Sequence, residues 1–214
     1  MTDSVRATPA PSCKEAPVPP ALQDTEGRKP AASHCPPLQY APVAAFASPL
    51  TRMVLASEGL TTTLLQAAVN SDLRVRASAV HTVHAGVLDA AAHRELAASR
   101  HPSFLLRHSL LVTADGTEVS DNYVAARTDL DPRIGDAVLD TTSPVGGALA
   151  RAGLALRRRI LAVGHTTRPG WDRCACKVYT LDSGTGPALF VREVFNPGVL
   201  PPALRPRKPQ GERS

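Results

Sequence analysis

Six segments with the residue pattern of β-strands, several joined by turns too short to hold a helix, constrain this chain more than any other feature of its sequence. The first, 73–79, sets Leu73, Val75, Ala77 and Ala79 against Arg74, Arg76 and Ser78, the period-two alternation of a strand with one buried face. Segments 104–113 and 119–127 flank Asp115-Gly116, a pair suited to a tight hairpin turn. Segments 154–163, 174–181 and 188–195 follow, the last two joined across Gly184 and Gly186. Parallel neighbours would need crossover connections of about a dozen residues, so the short turns dictate antiparallel pairing. The expected product is a mostly antiparallel sheet of about six strands.

Helical periodicity supplies a second layer. Leu50, Met53, Val54, Leu55, Leu60, Leu64, Leu65, Ala68 and Val69 recur at near-helical spacing, interrupted near Gly59 and stopped by Asn70-Ser71-Asp72. A short helix fits 87–97. Ser143-Pro144 opens another that Gly153 ends, since serine caps a helix and proline is tolerated in its first turn. The fold class is therefore α+β, an antiparallel sheet with helices packed on one face. A chain of 214 residues with 43% hydrophobic content can build one such core, and 4% aromatics makes that core aliphatic. Half of the 20 prolines fall in the first fifty residues, where they break any periodic pattern, so 1–46 reads as a disordered leader. The domain then spans 47–202, and a basic disordered tail, 203–214, follows Pro201-Pro202.

The net charge is +5, but the tail's Arg205, Arg207, Lys208 and Arg213 against Glu212 carry much of it. That leaves a mildly basic domain, suited to a small anionic substrate. Scarce aromatics argue against single-stranded nucleic acid, which binds by stacking. Arg157-Arg158-Arg159 reads as a solvated strand face with one arginine turned inward rather than a nucleic-acid patch. No apolar run reaches about 18 residues and the first thirty hold no signal-type segment, so a cytoplasmic monomer away from membranes is expected. Cys13, Cys35, Cys174 and Cys176 do not form a disulfide scaffold. The Cys174-Ala175-Cys176 triplet lacks both the spacer and the second ligand pair of a zinc site, so no metal is expected.

No glycine-rich phosphate loop, serine nucleophile elbow or His-Glu-x-x-His helix occurs. What remains are charged residues inside strands otherwise destined for burial. Foremost are Arg107 in Phe-Leu-Leu-Arg-His-Ser-Leu-Leu and Glu193 in Phe-Val-Arg-Glu-Val-Phe. A buried guanidinium needs a partner, and its planar fork fits a carboxylate through two parallel hydrogen bonds. A carboxyl group in an apolar strand can hold or deliver a proton. Solvent exposure of both residues, or their mutual pairing, is the plainer alternative.

Four pieces in fixed order carry a resemblance: Leu55-Ala56-Ser57-Glu58-Gly59-Leu60-Thr61; Arg107 leading to Ala114-Asp115-Gly116; Ser143-Pro144-Val145-Gly146; and Arg192-Glu193-Val194-Phe195-Asn196-Pro197. Trp171-Asp172-Arg173 stands ahead of the penultimate strand. Over 54–202 the chain resembles the chorismate pyruvate-lyase (4-hydroxybenzoate synthase) family. The resemblance implies a six-stranded antiparallel sheet flanked by helices around a water-excluding pocket, with no metal or organic cofactor. It also implies that Arg107 binds the ring carboxylate of chorismate. Glu193 would hydrogen-bond the ether oxygen and protonate it as the bond to the enolpyruvyl side chain breaks. Backbone groups near Leu60 and Val145 would close the pocket, and the helix start at Pro144-Val145-Gly146 would offer N–H groups to a carboxylate. Aromatisation drives such a reaction, so positioning and polar assistance suffice.

The chain departs from the pattern at Leu60, where the family has methionine, at Val145, where it has leucine, and by one extra residue between Arg107 and the Asp-Gly turn. His165 stands in place of an expected arginine. It reads either as a second carboxylate binder once protonated or as a strand-end histidine facing solvent. A similar Arg-strand and Asp-Gly hairpin occur in the effector-binding domains of GntR-type regulators. A non-catalytic domain sensing an aromatic acid is therefore the alternative to a lyase releasing pyruvate and 4-hydroxybenzoate. Those regulators carry an N-terminal winged helix, which the proline-rich leader cannot form. A structural or partner-binding role has no large amphipathic surface or charged helix behind it.

Overall fold

The computed structural model describes residues 36–206; Cys13, Cys35, the leader up to 35 and the tail beyond 206 lie outside the described residues. Seven described strands form one antiparallel sheet. They are β1 (Gln39–Tyr40), β2 (Arg74–Val83), β3 (Phe104–Val112), β4 (Glu118–Arg127), β5 (Arg157–Arg168), β6 (Trp171–Asp182) and β7 (Pro187–Phe195). Their order is β1-β5-β6-β7-β4-β3-β2, so two meanders, β2-β3-β4 and β5-β6-β7, meet at the β4 and β7 pair. The hairpin between β3 and β4 closes as its residues suggest. Gly116 takes φ 89°, and Thr113 N–H donates to Thr117 O at 3.0 Å.

Helices α1 (Pro49–Ala56), α2 (Thr61–Val69), α4 (Pro132–Leu139) and α5 (Val145–Arg151) cover one face of the sheet. Ser48 caps α1, accepting from Thr51 N–H, and Pro49 occupies its first turn. Asn70, in the left-handed region at φ 48°, ends α2. Asp131 and Pro132 start α4 in the same way, and Ile134, Ala137 and Val138 turn its apolar stripe inward.

The expectation of helices on one face is corrected by α3 (Ala90–Glu95), a short helix that packs on the opposite face. There Ala92, Leu96 and Leu88 join Phe104, Leu106, Tyr123, Val178 and Phe190 in a third apolar cluster. The cause lies in the central strands, where Val178 and Phe190 face one way and Tyr179 and Leu189 the other. Apolar residues on both sides of a strand demand cover on both sides.

The domain also starts ahead of residue 47. Ala41 and Phe46, placed in the leader by sequence, are buried, and β1 pairs with β5 through Gln39↔His165 and Tyr40↔Gly164. Gly164 permits this approach, because a Cβ there would stand 2.1 Å from Gln39 O. Residues 203–206, placed in the tail, run beside 45–47: Ala47 N–H donates to Ala203 O and Arg205 N–H to Ala45 O, each at 2.8 Å.

Candidate functional site

Along the face covered by α1, α2, α4 and α5, apolar side chains form two clusters. Leu105, Val124, Val191, Tyr179 and Leu181 belong to one, and Leu111, Phe195, Ala175 and Val163 to the other. Between them the strand register sets Ser109, Asn122, Glu193 and Lys177 side by side on β3, β4, β7 and β6. All four are buried. Leaving a buried polar group unsatisfied costs about 1–3 kcal/mol, so a row of four must be satisfied, or kept for a ligand.

Most of the row is satisfied from within. Asn122 Nδ2 donates to Ser109 O at 3.3 Å and Ser120 Oγ at 3.1 Å. Lys177 Nζ donates to Val54 O at 2.9 Å and Ser57 O at 3.0 Å. Burial pushes this amine down to about 8, against the attraction of Glu193. Tyr179 Oη donates to Glu193 Oε1 at 3.2 Å. Burial, reinforced by the Glu193 charge, holds the phenol well above its ordinary value, so it stays a donor. Glu193 Oε2 is buried and has no partner.

A second cation reaches the row from β5. Arg158 is 8% exposed, while Arg157 and Arg159 beside it face solvent, so the triple arginine turns one member inward as its alternation requires. Its guanidinium lies 4.2 Å over the Tyr179 ring. Nη1 donates to Gly59 O and, at 3.0 Å, to Thr61 Oγ1, while Nε is buried without a partner.

Above these groups is a cavity of about 50 Å³ whose lining includes Glu193, Asn122, Ser109, Tyr179, Arg158 and Val145. A second cavity of about 190 Å³, walled by Leu60, Leu149 and Leu154, shares Gly146, Arg158 and Leu181 with it. Leu60 closes over Gly146, its Cδ2 3.2 Å from where a Cβ on that glycine would lie. The connection between α1 and α2 thus covers the site, and both buried cations hold it from beneath, Lys177 through Ser57 and Arg158 through Gly59 and Thr61.

The sequence-derived residues divide. Glu193, Val145 and Gly146 line the first cavity, and Leu60 lines the second. Arg107 shares the face with Glu193 and is fully buried, but it does not line the cavity. Its Nη1 donates to Val138 O at 3.1 Å and Asp140 O at 2.6 Å, and its Nη2 to Ser143 O at 2.8 Å, so it ties the C-terminal end of α4 to the approach of α5. Burial lowers its pKa, opposed by Asp140, and its Nε lacks a partner. Arg107 thus fixes this wall rather than lining the cavity beside Glu193. The three carbonyls take three of its five N–H donors and leave Nε–H and one Nη2–H.

The solvent-facing reading of His165 is corrected, and the residue does not line the cavity beside Glu193. It is buried at the far end of β5, with Nε2 2.7 Å from Pro202 O and its ring 5.0 Å from that of Phe46, away from Glu193. Chain reversal at 201–202 supplies the carbonyl that captures it. Lys177, Tyr179 and Asn122 were not singled out from sequence. The available signal was a lysine in the otherwise buried run Cys174 to Leu181 and an asparagine in β4. Among the described residues no group of three or more His, Cys, Asp or Glu side chains could hold a metal, and no helix is long and apolar enough to cross a membrane. No protein-family model matches this sequence and no curated protein is significantly similar to it, so the geometry of the polar row has to carry the functional reading.

Proposed function

We propose that this chain cleaves chorismate to pyruvate and 4-hydroxybenzoate in the cavity over Glu193. One observation carries the reading: Glu193 lines a cavity of mixed polar and apolar walls, fixed through Oε1 by Tyr179, with Oε2 buried and free to take a ligand. In the proposed reaction the ring C3–O bond breaks and its electron pair leaves with the ether oxygen. The Glu193 carboxylate takes the C4 proton, which aromatises the ring, and passes that proton to the departing ether oxygen. The released enol tautomerises to pyruvate, and the ring's own 4-hydroxyl becomes the phenol. Aromatisation supplies the driving force, so a held carboxylate in a water-poor site is enough.

Ligand cavities commonly reach about 300 Å³ or more, and the two cavities joined still fall short of that, so a ring needs both and has to displace Leu60 from Gly146 to enter. Arg107 contributes by fixing the 140–144 wall beside Val145, and its Nε–H and one Nη2–H remain for a ring carboxylate.

The test is incubation of the full chain with chorismate, pyruvate being followed by coupled oxidation of NADH with lactate dehydrogenase. Pyruvate and 4-hydroxybenzoate are expected in equal amounts. Glu193→Gln, which keeps size and shape, should lower the rate by about 100-fold or more. No pyruvate at high protein concentration overturns the assignment. Tight binding of 4-hydroxybenzoate without turnover would move the chain to the sensing alternative.

A further inference from the structure

Among the described residues Arg158 is the one cation that borders both cavities, and we propose that it binds a second carboxylate of the ligand, carried on a ring substituent rather than on the ring. The proposal deepens the lyase reading and rests on it for the identity of the ring, but the chemistry it names is that of any cyclic dicarboxylate.

Two less buried arginines of this region are matched to acids, while the buried Arg107 and Arg192 are held, as Arg158 is, by carbonyls or hydroxyls; of these three it is Arg158 that lines the two cavities. Arg159 pairs with Glu95 and Asp182, and Arg168 with Glu118 and Asp121. Arg158 is more deeply buried than either, yet among the described residues its polar partners are a carbonyl and a hydroxyl. Its Nε–H has no partner at all. A buried guanidinium without a carboxylate is costly unless an anion arrives to complete it.

Among the described residues, Arg158 and Lys177 share this buried cluster with one carboxyl group, Glu193, while Glu58 lines the outer cavity from its exposed rim. Tyr179 fixes the plane of the guanidinium from below, leaving a fork that suits a carboxylate. A ring seated at Glu193 in the inner cavity directs a substituent past Arg158 into the outer one, under Leu60 and between Leu149 and Leu154. A carboxylate arriving there competes with Gly59 O for Nη1, which couples ligand binding to release of the covering segment.

Two probes that differ by one carboxylate test this in the full chain by isothermal titration calorimetry: 3-(carboxymethoxy)benzoate and 3-methoxybenzoate. The wild-type chain should prefer the dicarboxylate by about tenfold or more. Arg158→Met should erase that preference, read as the ratio of the two affinities within the same variant, and Arg158→Lys should keep part of it. Circular dichroism checks both variants, and if the methionine variant does not fold, the lysine variant decides through the same ratio. A wild-type ratio near one, binding of neither probe, or a ratio that persists undiminished in the variants overturns the assignment. The lyase reading fails separately: a chain that shows the ratio but releases no pyruvate from chorismate ends that reading and leaves Arg158 as an anion site.

Discussion

Lys177 is fully buried, and burial brings its amine from an ordinary 10.5 down to about 8. Between those values the unfolded chain holds a proton that the folded chain has released. The unfolded state then binds more protons, so this group makes stability rise with pH across that window. The gap between 10.5 and about 8, at about 1.4 kcal/mol per unit, amounts to about 3 kcal/mol. Deprotonation does not undo the local structure, because a neutral amine keeps two N–H donors for the carbonyls of Val54 and Ser57. Tyrosines and cysteines titrate in the same range, so the wild-type chain has to be compared with Lys177→Met, which has similar length and no amine. Urea unfolding, followed by the fluorescence of the single tryptophan, Trp171, should show the wild-type chain gaining about 3 kcal/mol on the variant between pH 7 and 10.5. A pH-independent difference would mean the amine titrates at its ordinary value. A difference that shrinks with rising pH would mean that attraction to Glu193 outweighs burial, and the account of this cluster would fail.

Arg107→Met leaves the carbonyls of Val138, Asp140 and Ser143 without their donor, and should cost about 3–5 kcal/mol in urea unfolding, with Arg107→Lys recovering part; unchanged stability would refute its wall-fixing role. Gly164→Ala drives a Cβ into the Gln39 carbonyl, so β1 should detach at a cost of about 1–3 kcal/mol and limited proteolysis should cut near residues 36–41 while the remaining sheet stays intact.

Strands were legible because alternation is local: 104–113, 119–127 and 188–195 each announce a buried face within a few residues. Strand β1 was not, since two residues carry no periodicity and their pairing depends on a missing side chain at Gly164, more than a hundred residues away. Helix α4 had a usable signal in Asp131-Pro132 followed by Ile134, Ala137 and Val138, the pattern of cap, first-turn proline and inward stripe. The second-face position of α3 was implied by β6 and β7 themselves, whose side chains are buried on both faces.

The site was legible to a lesser degree, and its two arginines show why. Sequence left Arg107 between burial and exposure and let one unnamed member of Arg157-Arg158-Arg159 turn inward, and it did not say what either would meet there. Arg107 meets three carbonyls from the end of α4 and the loop beyond it, 31 to 36 residues further along the chain. Those acceptors exist only because α4 stops at Leu139, and they engage three of the five N–H donors of the guanidinium. Arg158 meets one carbonyl and one hydroxyl from the segment that covers the cavity, and it borders open space on two sides. Residue type and burial are the same in both cases. The acceptors already engaged are what separate a guanidinium that holds the fold together from one still able to hold a ligand, and those acceptors come from distant backbone that no local pattern records.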